Sequence, residues 1–195
     1  MTSIFPGVRR AAVLTLASTA ALLGACGGFT AVDVGGTITG LTSTGLVLAN
    51  GASTVAPAAG DKTFVFPVQV AIRAPYAVTI ATQPPRQMCE VFNAAGIAGA
   101  APVTIVSVSC RSNTFRVGGT VNGLTSSSVV LTNGSDQVTV VAGTANFTFP
   151  SRVVDQAAYG VAVLTQPNNG QTCTVANNSA FIDNADVTNV SVTCR

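Results

Sequence analysis

The stretch VGGTITGLTSTGLVLANG, residues 34 to 51, returns at residues 117 to 134 as VGGTVNGLTSSSVVLTNG, an offset of 83. FVFP at 64 to 67 returns as FTFP at 147 to 150, and YAVTIATQP at 76 to 84 returns as YGVAVLTQP at 159 to 167, both at that offset. Further on, Cys89 matches Cys173, and VTIVSVSCR at 103 to 111 matches VTNVSVTCR at 187 to 195, now offset by 84. One residue has entered between the TQP turn and the first cysteine. Self-similarity at a fixed period reports architecture directly, so the chain carries one module of about 83 residues written twice.

Within each copy apolar residues alternate with small or polar ones, as at Phe64 and Phe66, at Tyr76, Val78 and Ile80, and at Val190 and Val192. A period of two puts these side chains on one face of a strand. The first copy is expected to form seven strands, near 34–41, 45–49, 53–57, 63–66, 76–82, 88–92 and 103–110, with equivalents in the second. Asn50-Gly51 and Asn133-Gly134 each lie between two such runs, and Asn-Gly supplies the two positive φ angles of a type I′ hairpin. The pattern predicts an all-β protein of two tandem small Greek-key β-sandwich modules, residues 32–111 and 112–195. Both immunoglobulin-like and prealbumin-like topologies satisfy it.

Each module holds one cysteine pair, Cys89 with Cys110 and Cys173 with Cys194. Four cysteines allow three connectivities, and recurrence of the pair in each copy favours bridges within a module. Exported proteins meet an oxidising environment in which such bridges persist. Closing a loop of this length stabilises a module by roughly 3 kcal/mol in the loop-entropy model, which matters for a core this small. The alternative is free cysteines packed as small hydrophobes.

Cys26 has no counterpart. Before it, Arg9 and Arg10 precede fifteen uncharged residues, from Ala11 to Ala25. That run falls short of the roughly 20 apolar residues of a spanning helix and has the layout of a secretory signal over residues 1–25. Leu23, Gly24, Ala25 and Cys26 resemble the lipobox of bacterial lipoproteins. The resemblance implies cleavage before Cys26, acylation of that cysteine, and a short tether over residues 26–31. A single acyl chain holds only marginally, whereas the several chains typical of that family anchor stably. The alternative is an ordinary cleaved signal that leaves a free thiol. In Gram-negative members of the family an aspartate directly after the cysteine often marks inner-membrane retention; here the residue is Gly27, which for such a cell implies the outer membrane. The eight or so residues from Cys26 to Val34 span at most roughly 28 Å, so module one is expected close to the membrane and module two distal to it.

From Cys26 onward, seven basic residues (Lys62, Arg73, Arg86, Arg111, Arg116, Arg152, Arg195) balance seven acidic ones (Asp33, Asp61, Glu90, Asp136, Asp155, Asp183, Asp186). This part carries no electrostatic footprint for nucleic acid. The chain has no histidine, which removes the commonest general base and the usual partner of a serine or cysteine nucleophile. No catalytic residue, metal ligand set or cofactor site is expected. Asp183 and Asp186, near Asn177, Asn178 and Asn184, are read as solvated turn residues, with a Ca²⁺ loop as the alternative. Lys62 is the one lysine available for a Lys to Asn isopeptide bond of the kind found in pilin-type domains. Tyr76 and Tyr159 are expected in the core. Phe92 and Phe181 are read as packing residues, with a ligand platform as the alternative.

The motif YGVAVLTQPNNGQTCTVANN followed by VTNVSVTC resembles bacterial lipoproteins with tandem immunoglobulin-like repeats, over nearly all of residues 31 to 195. Copy one departs from it at PPRQMCEVFNAAG, so its inter-cysteine loop is expected to differ in shape. The resemblance implies an extracytoplasmic immunoglobulin-like module and brings no activity with it. The missing catalytic equipment, the anchor and the duplication together give the expectation of a noncatalytic cell-envelope protein, membrane-attached through its lipid, with a structural, adhesive or assembly role and an envelope protein or glycan as partner. The rival expectation is a carbohydrate or small-molecule binding lipoprotein.

Overall fold

The computed structural model describes residues 30–125 and 127–195. Cys26 and the signal segment lie outside the described residues. Strands are numbered in chain order. The first module comprises β1 (Ala31–Val32), β2 (Val34–Thr39), β3 (Val47–Asn50), β4 (Ser53–Val55), β5 (Thr63–Val65), β6 (Val70–Ala71), β7 (Pro75–Thr82), β8 (Gln87–Phe92), β9 (Ala95–Ile97) and β10 (Val103–Ser112). The second repeats them as β11 (Thr114–Phe115), β12 (Val117–Asn122), β13 (Ser128–Asn133), β14 (Asp136–Val141), β15 (Asn146–Thr148), β16 (Val153–Val154), β17 (Ala158–Thr165), β18 (Cys173–Ala176), β19 (Ser179–Phe181) and β20 (Val187–Cys194).

All seven expected strands form in each copy. Two- and three-residue segments join them (β1, β6 and β9, and their equivalents), too short for alternation to register. One sheet has the order β5-β2-β10-β8 and the facing sheet β4-β3-β7-β9, with β15-β12-β20-β18 and β14-β13-β17-β19 in the second module. First and last long strands run side by side in parallel, β2 with β10 and β12 with β20. An immunoglobulin sandwich groups its first, second, fourth and fifth strands in one sheet. Here the second and fifth of the seven expected strands, β3 and β7, lie in the opposite sheet from the first, β2, so each module is a two-sheet sandwich whose strand order departs from that constant-type arrangement.

The VGG motif is explained by that parallel pairing. Each parallel ladder carries an irregularity, between Val103 and Val106 and between Val117 and Gly119. There the backbone comes so close that a Cβ on Gly36 would strike the Val106 carbonyl oxygen, and one on Gly119 that of Val190. Only glycine admits the approach.

Each module has its own core. Val34, Ile38, Leu46, Leu48, Phe66, Tyr76, Val106 and Val108 fill the first, and Val117, Val129, Leu131, Phe149, Tyr159, Val190 and Val192 the second. Phe64 and Phe66 meet edge to face at 5.7 Å, and Phe147 and Phe149 repeat this at 5.8 Å.

The hairpins are displaced by one residue from the expected position. Asn50 and Asn133 end their strands, and Gly51-Ala52 and Gly134-Ser135 form the two-residue loops. Only the glycines have positive φ, 59° and 61°, which matches a type II′ turn and not type I′. The asparagines are used elsewhere: Asn50 Oδ1 accepts the Ala77 N–H at 3.0 Å, and Asn133 Oδ1 accepts the Gly160 N–H at 2.9 Å.

Candidate functional site

Cys89 and Cys110 stand directly opposite on β8 and β10 and are disulfide-bonded, as are Cys173 and Cys194 on β18 and β20. All four face the core, 2 to 8% exposed. Each bridge ties the edge strand to the central strand of one sheet.

The glutamines around the cysteines prove to be structural. Gln83 Oε1 accepts the Cys89 N–H at 2.8 Å while Gln83 Nε2 donates to the Cys89 carbonyl at 2.9 Å. Gln166 does the same for Cys173, at 2.7 and 3.0 Å. An amide side chain thus occupies the outward main-chain groups of an edge strand. Gln87, 3% exposed, accepts from the Thr42 and Ser43 N–H groups at 2.8 Å each and donates to the Gly40 carbonyl at 2.7 Å. Gln171 repeats this on Thr125 and Gly123. The TQP...Q.C motif is therefore scaffold.

The inter-cysteine loops share one anchor in spite of their different sequences. Asn93 and Asn177 have φ of 52° and 51°, conformations that asparagine tolerates, and each side chain donates across to a strand carbonyl, Ile105 at 3.2 Å and Asn189 at 3.1 Å. The difference expected for copy one lies elsewhere: β8 runs Gln87–Phe92 where β18 runs Cys173–Ala176, and Asn184 has a φ of 51° where copy one has Ala100 without a positive φ.

The junction between the modules gathers most of the polar chemistry. β10 ends at Ser112 and β11 begins at Thr114, so the linker is Asn113 alone. Its N–H donates to the Arg86 carbonyl at 3.0 Å, and its own carbonyl accepts from the Asp155 N–H at 2.9 Å. The Arg86 guanidinium donates to Asp155 Oδ2 at 2.9 Å and to Asp183 Oδ1 at 2.7 Å. The Asp155 side chain is only 2% exposed, and its other oxygen accepts the Asn184 N–H at 2.8 Å. Burial pushes the Asp155 carboxyl up, but the Asn184 N–H and then Arg86 outweigh it and hold it below the usual carboxylate range. Asp183 first and Asp155 second raise Arg86 above its ordinary value.

Asp183 and Asp186 are therefore not merely solvated turn residues. Asp183 pairs with Arg86, whereas Asp186 accepts the Arg116 N–H at 2.7 Å, so the two carboxylates serve different contacts. Lys62 is exposed and contributes its backbone carbonyl to Ile38. Tyr76 and Tyr159 are core residues, 5 and 6% exposed. Phe92 and Phe181 are not packing residues: they are 51 and 72% exposed, because each lies where its strand's outward face has no covering layer. Phe181 lines an open groove with Ile182, Gln156, Arg86 and Asp183, beside the junction.

Sequence reasoning missed Arg86 and Asp155. Subtracting one copy from the other finds both: Asp155 stands where copy one has Ile72, Asp183 where it has Gly99, and Arg86 where copy two has the insertion around Asn168 to Gly170. The copies differ in charge where they meet.

The fold and junction define a class, that of tandem two-sheet β-sandwich proteins with head-to-tail modules. No protein-family model matches the chain, and no curated protein matches it by sequence. Among solved structures it is similar to the Bacillus anthracis TIE protein, with a TM-score of 0.50 and 10% identity over 85% of this chain. The chain spans 34% of that protein's length. A C-terminal fragment of the pilus adhesin SpaC from Lactobacillus rhamnosus GG matches over 85% of this chain and 95% of its own, with 9% identity and a TM-score of 0.38. Shaft pilin SpaA of the same organism matches over 84% and 98%, with 10% identity and a TM-score of 0.29. At these identities the likeness bears on the fold alone.

Proposed function

We propose that the protein is a noncatalytic lipoprotein of the cell envelope, anchored through acylated Cys26 in the outer membrane, whose two modules act as a stiff structural or adhesive spacer. The observation that carries this reading is the one-residue linker, Asn113, with both backbone groups bonded and the Arg86–Asp155 pair beside it. Flexible tethering is the default between domains, and here it is replaced by directed contacts. Such a build transmits position and force from an anchor to a distal module. It serves presentation of a surface to an envelope protein or glycan.

The test is the intact mass of membrane-extracted protein with and without reductant. The expected species begins at residue 26, carries acyl chains, and gains four hydrogens on reduction, two for each bridge. Material that begins at Met1, or that partitions into water, overturns the anchor. Crosslinking in intact membranes then reads the adhesive role through partners captured by module two.

The exposed ring of Phe181 beside Arg86 and Asp183 favours a second reading, a carbohydrate site in the junction groove. Flat rings with nearby hydrogen-bonding groups suit sugars. A bound glycan raises the melting temperature by mass action, and Phe181→Ala removes that rise.

A further inference from the structure

Sheet edges offer unpaired N–H and C=O groups and are places where chains join, so proteins blunt them with short strands, prolines or coverings. Nearly every edge here is treated in that way. β4, β5, β9, β15 and β19 have three residues each, and β18 has four. β8 is longer, yet Gln83 occupies the outward groups of Cys89 at its centre, and Gln166 does the same for Cys173 on β18.

β14 is the exception among the described residues. It runs six residues, Asp136–Val141, at the outer edge of its sheet, with no proline or lysine. The repeat supplies an internal control, because β4 occupies the same place in module one and stops at Val55. Its continuation meets Pro57, which aligns with Val140. Val140 pairs with Val129 at a site where the strand's N–H must point inward to its partner, and proline has none to give. Module one closes this edge by sequence, and module two leaves it open.

We propose that β14 is a self-association edge, pairing antiparallel with β14 of a second copy about a two-fold axis through Thr139. Ladder alternation points the main-chain groups of Gln137, Thr139 and Val141 away from β13, since Asp136, Val138 and Val140 alternate with them and Ala142 bonds inward to Ser127; of these outward groups the Val141 carbonyl also accepts the Thr144 N–H at 3.1 Å. Centred on Thr139, the pairing sets Thr139 against Thr139, Gln137 against Val141 and Val138 against Val140 of the second copy. This keeps each side chain on its own face, as a pleat demands. Val138 and Val140 extend the buried layer, and the exposed Val141, 56% accessible, is covered by the Gln137 side chain. Asp136, the strand's one charge, falls opposite Ala142, so the two carboxylates end up at opposite ends of the ladder and do not repel. The open edge is thus complementary to itself in pleat and in charge, and in hydrogen bonds with the Val141 carbonyl shared between Thr144 and the second copy's Gln137.

The experiment uses the full chain extracted in mild detergent and compares wild type with Thr139→Pro by sedimentation velocity. Proline at 139 deletes an outward N–H and leaves the β13 ladder intact. Dimers of wild type and monomers of Thr139→Pro, with matching melting temperatures, support the pairing. A monomeric wild type, or an equal dimer fraction in both, overturns it. Should Thr139→Pro fail to fold, Thr139→Cys and Ala56→Cys are oxidised in parallel, Ala56 being the equivalent position in module one. A reducible dimer several-fold more abundant for Thr139→Cys supports the two-fold edge, and equal yields overturn it.

Discussion

Arg86 of the first module and Asp155 of the second meet at 2.9 Å across a one-residue linker, and the aspartate side chain is almost fully shielded from water. An aspartate in that setting is stable as an anion only while its partners stay in place, so the pair couples the orientation of the modules to its own ionisation.

Acid is expected to loosen the tandem before it unfolds either module. The Asp155 carboxyl is lowered in the folded state, so its contribution is complete above the ordinary carboxylate pKa of about 3.9 and is lost as pH falls through the lower folded value. Small-angle scattering should show a longer, more variable molecule below that point, and Arg86→Ala should show it at neutral pH. An unchanged scattering profile for Arg86→Ala at neutral pH would rule out this junction as the orienting contact.

The VGG glycines divide sharply from others. Gly36→Ala and Gly119→Ala each drive a Cβ into a backbone carbonyl, and several kcal/mol of destabilisation, or failure of that module to fold, is expected. Gly160, by contrast, has open space around its Cβ position and an ordinary φ, and copy one carries Ala77 there. Gly160→Ala should stabilise by about 0.4–1 kcal/mol, as measured by urea denaturation.

Gln87 and Gln171 hold equivalent loops with unequal shielding. Gln87→Ala strands two N–H groups and a carbonyl at a buried site, which costs about 1–3 kcal/mol. Gln171→Ala should cost less, because water reaches its half-buried site. Separate calorimetric transitions for the two modules would read the difference, and equal losses would count against shielding as its cause.

Removing both cysteines of one bridge, as in Cys89→Ala with Cys110→Ala, should lower the stability of that module by roughly 3 kcal/mol and leave the other module unmoved. Each bridge lies inside one core, so the effects should be independent and the double loss additive. Strong coupling in a denaturation series would mean that the junction joins the modules into one folding unit.

Residues 34 to 51, returning at 117 to 134, were enough by themselves to reveal duplication and strand character, and the recurrence of Cys89 and Cys110 as Cys173 and Cys194 favoured pairing within a module, because period and repetition are local properties of a string. Asn50-Gly51 located a hairpin but not its register, since Asn50 was drawn to the Ala77 N–H of a strand 27 residues further on. The same limit hid Arg86, Asp155 and Gln83. Their roles depend on which atoms a folded chain carries into hydrogen-bond range and shields from water, and no spacing encodes that. Whether the first and last long strands shared a sheet was likewise open until the glycine-lined approach of β2 to β10 was seen, because alternation reports which face of a strand is buried and is silent on its neighbour.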